Sequence, residues 1–286
     1  MMGFRRRKLE ESIFKVLMIG STVIVIGSLL LIIATVIVKG FPAMNLAMIT
    51  QTPKGGYYLG KEGGILNAIV GSLELAGGAT LLALLFSLPI VLYINLYKRR
   101  KSRFAVFVRF SLDVLWGIPS IVYGAFGFIL MMMVGLRTSL LAGIIAVALL
   151  ELPIMARAMD EVVRLVPSSL QDASASLGAT KLETAVHVIV RQCLPGIITA
   201  ILIAFGRGIG DAASVLYTAG FSDRVPGALL QPAATLPLAI FFQLGTPYPE
   251  VQERAYASAA ILTIIILVIS LLSRWYSRKF RKNSAI

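Results

Sequence analysis

Two opposite charges interrupt an otherwise apolar run. In FGRGIGDAASVL, Phe205 to Leu216, Arg207 is followed four residues later by Asp211. A full charge near the middle of a membrane-spanning helix costs at least about 2.5–3.5 kcal/mol, so such a side chain faces a partner or a watery cavity rather than lipid. If the run is helical, positions 207, 211, 214 and 218 share one face. They carry Arg207, Asp211, Ser214 and Thr218, a polar stripe. Two chemistries fit it. Arg207 and Asp211 can neutralise each other one turn apart as a structural ion pair. Alternatively the stripe lines a path for an anion, with Arg207 as the binding group, because a guanidinium fork makes paired bonds to oxyanions and keeps its charge. The polar continuation through Ser214 and Thr218 favours the path. Gly206 and Gly210 add a G-x-x-x-G on an adjacent face, which predicts close approach of a neighbouring helix.

Other chemistry is sparse. GIPSIVYG, from Gly117 to Gly124, places Gly117, Pro119 and Ser120 inside a second apolar run, which predicts a kink. The kinked helix either is satisfied by its neighbours or lines the same path as Arg207. Glu74, Asp113 and Glu151 lie in or near apolar runs and receive no role. The single histidine, His187, reads as a solvated or interface residue, and the single cysteine, Cys193, as a small packing residue. No nucleophile–base pair and no metal-ligand cluster can be assembled from them. A G-x-x-x-x-G-K-[ST] loop is also missing from the sequence, so the chain has no P-loop for a nucleotide. The sequence reads as a non-enzyme.

The elements that must position these residues are long and apolar. The chain has 286 residues, of which 57% are hydrophobic. Six stretches, at about 14–38, 65–97, 110–135, 138–159, 194–219 and 256–275, reach the roughly 20 residues a spanning helix needs. The expected fold is therefore an all-α membrane protein with six transmembrane helices. Its net charge of +13 would suggest nucleic acid in a soluble protein, but the basic residues follow topology. Arg5, Arg6, Arg7 and Lys8 precede the first span, KRRKSR (Lys98 to Arg103) joins the second to the third, Arg164, Lys181 and Arg191 join the fourth to the fifth, and Arg278, Lys279, Arg281 and Lys282 follow the sixth. The alternate loops are poorer in Lys and Arg. This bias predicts both termini in the cytoplasm, some contact with anionic lipid, and no nucleic acid. Two long external segments remain, 39–64 and 220–255. The second contains LPLAIFFQL, too short to span, and reads either as an ordinary loop or as a partly re-entrant cap.

The connection from the fourth span to the fifth, roughly 160–193, has a structure of its own. Pro167 ends one helix, and Ser168 with Gln171 predicts a capping box for the next, whose short apolar face is Leu170, Ala173 and Leu177. Gly178 is a natural stop in left-handed conformation. Thr180 with Glu183 predicts a second capping box. Two capped helices around a glycine corner make a preformed knob suited to a groove on a partner.

This segment resembles the cytoplasmic coupling loop of ABC-importer permeases, whose signature is Glu-Ala-Ala, three residues, then Gly. Here the residues are Asp172, Ala173 and Ser174, then Gly178 and Ala179. PGIIT (Pro195 to Thr199), GRGIGDAASVLYTAG (Gly206 to Gly220) and GIPSIVYGAFG (Gly117 to Gly127) are similar to the phosphate-transport permeases of that family, of the A type. The sequence departs from the pattern at Asp172, where the family has glutamate, at Arg191, where many members have proline, and at Asp211-Ala212 in place of Glu-Thr. The resemblance covers roughly residues 63–275. It implies the type I importer permease fold there, preceded by a tail, span and external loop over 1–62 and followed by a basic tail over 276–286. It further implies a bacterial or archaeal cytoplasmic membrane and import of inorganic phosphate by alternating access. Arg207, Asp211, Ser214 and Thr218 would line the substrate path, with the break at Gly117, Pro119 and Ser120 beside it. Asp172, Ala173, Ser174, Gly178 and Ala179 would couple to a P-loop ATPase dimer that binds ATP and Mg2+, while this chain holds no cofactor or metal. A homologous second permease and an external phosphate-binding protein complete the implied complex. Another oxyanion (phosphonate, sulfate or molybdate) on the same fold is the nearest alternative. A secondary carrier or channel fits less well, because no internal repeat is visible and a carrier has no use for the capped knob.

Overall fold

A computed structural model of the chain describes residues 2–54, 62–98 and 102–280. In chain order its helices are α1 (Met2–Gly40), α2 (Leu46–Thr50), α3 (Leu66–Leu92), α4 (Arg103–Trp116), α5 (Ser120–Met133), α6 (Leu140–Leu165), α7 (Ser168–Ser176), α8 (Lys181–Glu183), α9 (Arg191–Ile209), α10 (Leu236–Leu244) and α11 (Pro249–Phe280). A minimal antiparallel pair, β1 (Pro53–Lys54) with β2 (Glu62–Gly63), sets Pro53 opposite Gly63. Residues 55–61, the core of the basic KRRKSR connection at 99–101 and the tail from 281 lie outside the described residues. Wide π-type turns over Thr184–Val190 fuse α8 and α9 into one rod from Lys181 to Ile209.

Among the described residues, five helices are long and apolar enough to cross a bilayer on their own, and α4 with α5 qualifies as a pair bent by 98°. The pair crosses as one span. The α4 arm is bound at Arg109 to Asp160, near the end of α6, whereas Gly127 on α5 lies against Ala146, near its beginning. The bent pair thus runs the length of α6, and the expected six-span, all-α architecture is present.

The interior is built from α3, α6 and α9. One cluster joins Ala83, Val91, Met155, Ala156, Met159, Ile189, Cys193, Ala200 and Ala204. A second, toward the other end, joins Leu75, Ala79, Ile144, Val147, Val215 and Leu238. Small residues at these crossings let backbones approach, which in lipid substitutes van der Waals contact for the hydrophobic drive available in water. In contrast, α1 stays at the edge: its apolar side chains are largely exposed, as a lipid-facing helix requires, and Gly40 at its end lies against the backbone of Tyr256 and Ala257 in α11. The segment 220–255 folds back into the bundle. Ala233, Ala234, Leu236 and Ala239 are buried, and Ser72 Oγ on α3 accepts the Leu236 N–H at 2.8 Å. Thr235 then caps α10.

Two expected helices differ from the structure. The third span is severed rather than kinked: Gly117 closes α4, and Pro119 stands ahead of the first turn of α5. The fifth span stops at Ile209, ten residues short of the expected end at 219. Gly210 closes it, and the Asp211 carboxylate accepts the Ser214 N–H at 2.8 Å. An aspartate that bonds a nearby backbone N–H competes with helix propagation, so the chain turns through 213–219 and leaves at Gly220, φ +76°.

Candidate functional site

The break at Ile209 redistributes the expected stripe. Arg207 lies on the last turn of α9 with 54% of its side chain exposed, while the Asp211 side chain is 5% exposed, their closest atoms 3.9 Å apart. Ser214 and Thr218 are buried inside the turn that follows. Thr218 donates to the Ser214 carbonyl at 3.0 Å, and the Ser214 hydroxyl has no partner among the described residues. The four residues therefore do not form one helical face, which corrects the expectation from their spacing. Only Arg207 presents its polar group on an open surface. Asp211 instead builds the turn that ends α9 and places its second oxygen beside the guanidinium.

Among the described residues the expected G-x-x-x-G contact is also absent: Gly206 faces open space, and the nearest atoms to Gly210 belong to its own turn and the tip of Ile266. The close approach is made one helical face away, by Gly208. A methyl group there would collide with Glu151 Oε1 and approach Val147. Glu151 on α6 is fully buried. Its Oε2 accepts from Thr80 Oγ1 at 2.9 Å, and its Oε1 has no partner among the described residues. A buried carboxyl thus sits one residue from Arg207, joining α3, α6 and the end of α9.

The severed third span meets the same region. A Cβ on Gly124 would stand 2.7 Å from the Ala213 carbonyl oxygen and 2.9 Å from that of Ser214, so α5 can pack on the 213–219 turn only with glycine there. Tyr123 Oη donates to the Leu115 carbonyl at 2.8 Å, returning a hydrogen bond to the open end of α4. Gly117 and Pro119 are exposed, and Ser120 is half-buried. The structure brings together two motif blocks that stand far apart in sequence.

A polar cluster that sequence reasoning missed holds the other arm. Asp160 on α6 is buried and accepts from Arg109 Nε at 2.8 Å, Arg109 Nη2 at 3.1 Å and Asn95 Nδ2 at 2.7 Å. Arg157 bridges Asp113 at 2.6 Å and Asp160 at 3.6 Å. This network ties α4 to α6 and to the π-type turns over Tyr93–Tyr97 that extend α3. Its only sequence signal is charge near the ends of apolar runs, which does not say who meets whom.

The knob at 167–190 has the expected corner. Gly178 adopts φ +81° with open space around it, a conformation side chains rarely take. The second capping box is formed: Thr180 Oγ1 accepts the Glu183 N–H at 3.3 Å, and Glu183 Oε2 accepts the Thr180 N–H at 2.8 Å. The first is not, because α7 begins directly after Pro167 and Ser168 is already its first helical residue. A buried clasp, Ser174 Oγ to Thr184 Oγ1 at 2.9 Å, closes the corner. Ser174 therefore faces inward, whereas Asp172, Ala173 and Gly178 are exposed and Ala179 is half-buried. Leu177 is 89% exposed, with Leu182 and Val186 also uncovered. That is an apolar surface on a polar-flanked corner.

Comparisons with known proteins agree with this architecture. Residues 87–282 match the family model of the binding-protein-dependent transport system inner membrane component. The chain is 32% identical over 274 residues, 96% of its own length and 95% of the relative's, to the phosphate transport system permease protein PstA of Haemophilus influenzae. It is 34% identical to the PstA of Xylella fastidiosa, covering 84% of this chain and 83% of that one. Among solved structures, it resembles the inward-facing MetNI methionine ABC transporter at TM-score 0.61, with 18% identity over 75% of this chain and 94% of that chain. It also resembles a bacterial alginate ABC transporter in complex with an alginate-bound periplasmic protein at TM-score 0.59, with 15% identity over 99% of this chain and 98% of that chain. These two likenesses speak to fold alone. A six-span bundle with a capped helical corner, matched over most of its length, makes this chain a member of the binding-protein-dependent transport system inner membrane component family, a multi-pass permease subunit of an ABC importer.

Proposed function

We propose that the chain imports inorganic phosphate, as one transmembrane subunit of an ATP-driven complex working by alternating access. The observation that carries this reading is Arg207: a guanidinium near the middle of the bundle, half-exposed, whose nearest carboxylate is committed to its own turn. Such a group can offer its donor fork to a tetrahedral oxyanion. Asp211 orients it, and the severed α4–α5 span supplies the opposite wall through Gly117, Pro119 and Ser120. Ser214 and Thr218 support the site from behind as parts of the turn. Moving a doubly charged anion into a negative interior costs about 2.3 kcal/mol per charge per 100 mV, so import needs external energy. We assign that energy to a P-loop ATPase dimer holding ATP and Mg2+, docked on Leu177, Leu182 and the exposed residues around Gly178. A second, homologous permease completes the path, and a phosphate-binding protein delivers cargo on the opposite side. Both termini and the 160–193 segment would then face the cytoplasm.

The test is uptake of labelled phosphate by cells in which this chain, with its partner subunits, is the only uptake route. Unlabelled phosphate should compete, whereas excess sulfate, molybdate or phosphonate should not. Arg207→Lys, which keeps charge but loses the fork, should reduce uptake, and Arg207→Gln should abolish it. Equal competition by sulfate or molybdate would transfer the reading to another oxyanion.

A further inference from the structure

The surface around Arg207 continues between α9 and α11. Here lies a cavity of about 430 Å³, lined by Thr199, Ile203 and Gly206 on one helix and Ser270, Ser273 and Arg274 on the other. One end is Gly206, where open space stands in place of a side chain and the next residue is Arg207. From that level, marked on α11 by Ile266, the cavity extends about 12 Å along the helix axis to Arg274, on the side of the Gly178 corner. Ser270, Ser273 and Arg274 stand at i, i+3 and i+4, so they share one face.

Two features of these residues require explanation. Arg274 makes no hydrogen bond or ion pair with any described residue. The serines are the more informative. Elsewhere in the spans, many hydroxyls return a bond to a carbonyl one turn earlier, as Ser21, Thr35, Thr199, Ser258 and Thr263 do, and Thr80 and Ser87 bond across to α6. Ser270 and Ser273 form no side-chain bond with a described residue. Ser270 and Arg274 are exposed and Ser273 is half-buried, so all three open onto the cavity, and against hydrocarbon an unpaired hydroxyl is unfavourable. The topological bias of basic residues accounts for an arginine at this depth but not for two free hydroxyls beside it.

We propose that this cavity is a second oxyanion station. It would take a tetrahedral phosphate group, with Arg274 supplying charge and donors and Ser270 and Ser273 donating from their hydroxyls. The phosphate group has two sources: cargo released by Arg207, or the headgroup of an anionic phospholipid. The first source rests on the phosphate-import reading; the second does not.

The experiment reads occupancy rather than transport. Ile203→Cys places a thiol on the cavity wall, away from the three proposed ligands, in a Cys193→Ser background. The purified importer complex is reacted with N-ethylmaleimide, first in maltoside micelles and then in phosphatidylglycerol nanodiscs. Inorganic phosphate at ten times its Kd should slow the reaction about tenfold in micelles, and Arg274→Gln should restore the unprotected rate. That result assigns the site to cargo. Protection that occurs only with phosphatidylglycerol and vanishes in Arg274→Gln assigns it to the headgroup. Absence of protection by either, or protection that survives Arg274→Gln, overturns the station. Since uptake is not the readout, that failure leaves the Arg207 reading intact, and loss of the Arg207 reading leaves the headgroup arm standing.

Discussion

Removing the guanidinium and removing the carboxylate of the 207–211 pair should have opposite signatures. At 3.9 Å, two unit charges attract by about 4 kcal/mol at an effective dielectric near 20. Arg207 is half-exposed, however, and ion pairs with that much solvent typically contribute about 0.2–1 kcal/mol. Arg207→Gln should therefore leave the complex within about 1 kcal/mol of wild-type stability while abolishing uptake. The Asp211 carboxylate is buried and satisfies the Ser214 N–H at 2.8 Å. Asp211→Ala strands that donor at a cost of about 1–3 kcal/mol and loosens the turn that ends α9. It should lower the melting temperature of the detergent-solubilised complex distinctly more than Arg207→Gln does. The assays are a thermal melt followed by size exclusion, and labelled phosphate uptake at matched expression. Exchanging the two residues is a poorer test, because an arginine at 211 cannot accept the Ser214 N–H and the turn would fail for that reason alone. If Arg207→Gln melts as early as Asp211→Ala, or imports phosphate at the wild-type rate, the pair is structural and Arg207 does not bind cargo.

Gly178→Val places a β-branched residue at φ +81°, at a cost of at least about 1–2 kcal/mol, and should lower uptake and substrate-stimulated ATP hydrolysis together while the chain still inserts; wild-type stimulated hydrolysis would remove the coupling role of this corner. Gly208→Ala drives a methyl group into Glu151 and Val147 and should destabilise the complex by about 1–3 kcal/mol, whereas Gly206→Ala, directed at open space, should leave the melt unchanged. Equal melts for the two would contradict the packing at Gly208.

The long spans were legible because each is a continuous apolar run, and hydropathy reports just that. The same property hid the end of α9. The sequence stays apolar to Ala219, and nothing in the spacing of Arg207, Asp211, Ser214 and Thr218 reveals that Asp211 turns back onto the Ser214 N–H. Gly117 and Pro119 announced a defect, but its angle is set by docking of Gly124 on residues about 90 positions away. Capping patterns were half informative. Thr180-x-x-Glu183 forms its box, while Ser168-x-x-Gln171 does not, since the helix begins one residue earlier. The Asp160 cluster needed three dimensions, because Asn95, Arg109 and Asp160 come from three helices.

The severed third span also bears on how the protein is made. α4 and α5 have 14 residues each, about 21 Å of helix, and neither alone crosses roughly 30 Å of hydrocarbon. The two arms therefore reach spanning length only together, as the single apolar stretch Arg103–Met133. The surface that seats the bent arm, the carbonyls of Ala213 and Ser214, emerges from the ribosome about 90 residues later, roughly 5–20 s at ordinary synthesis rates. Gly117, Pro119 and the Tyr123–Leu115 hydrogen bond mark the break within the segment itself, while the surface that seats the α5 arm is completed only after that segment has been synthesised.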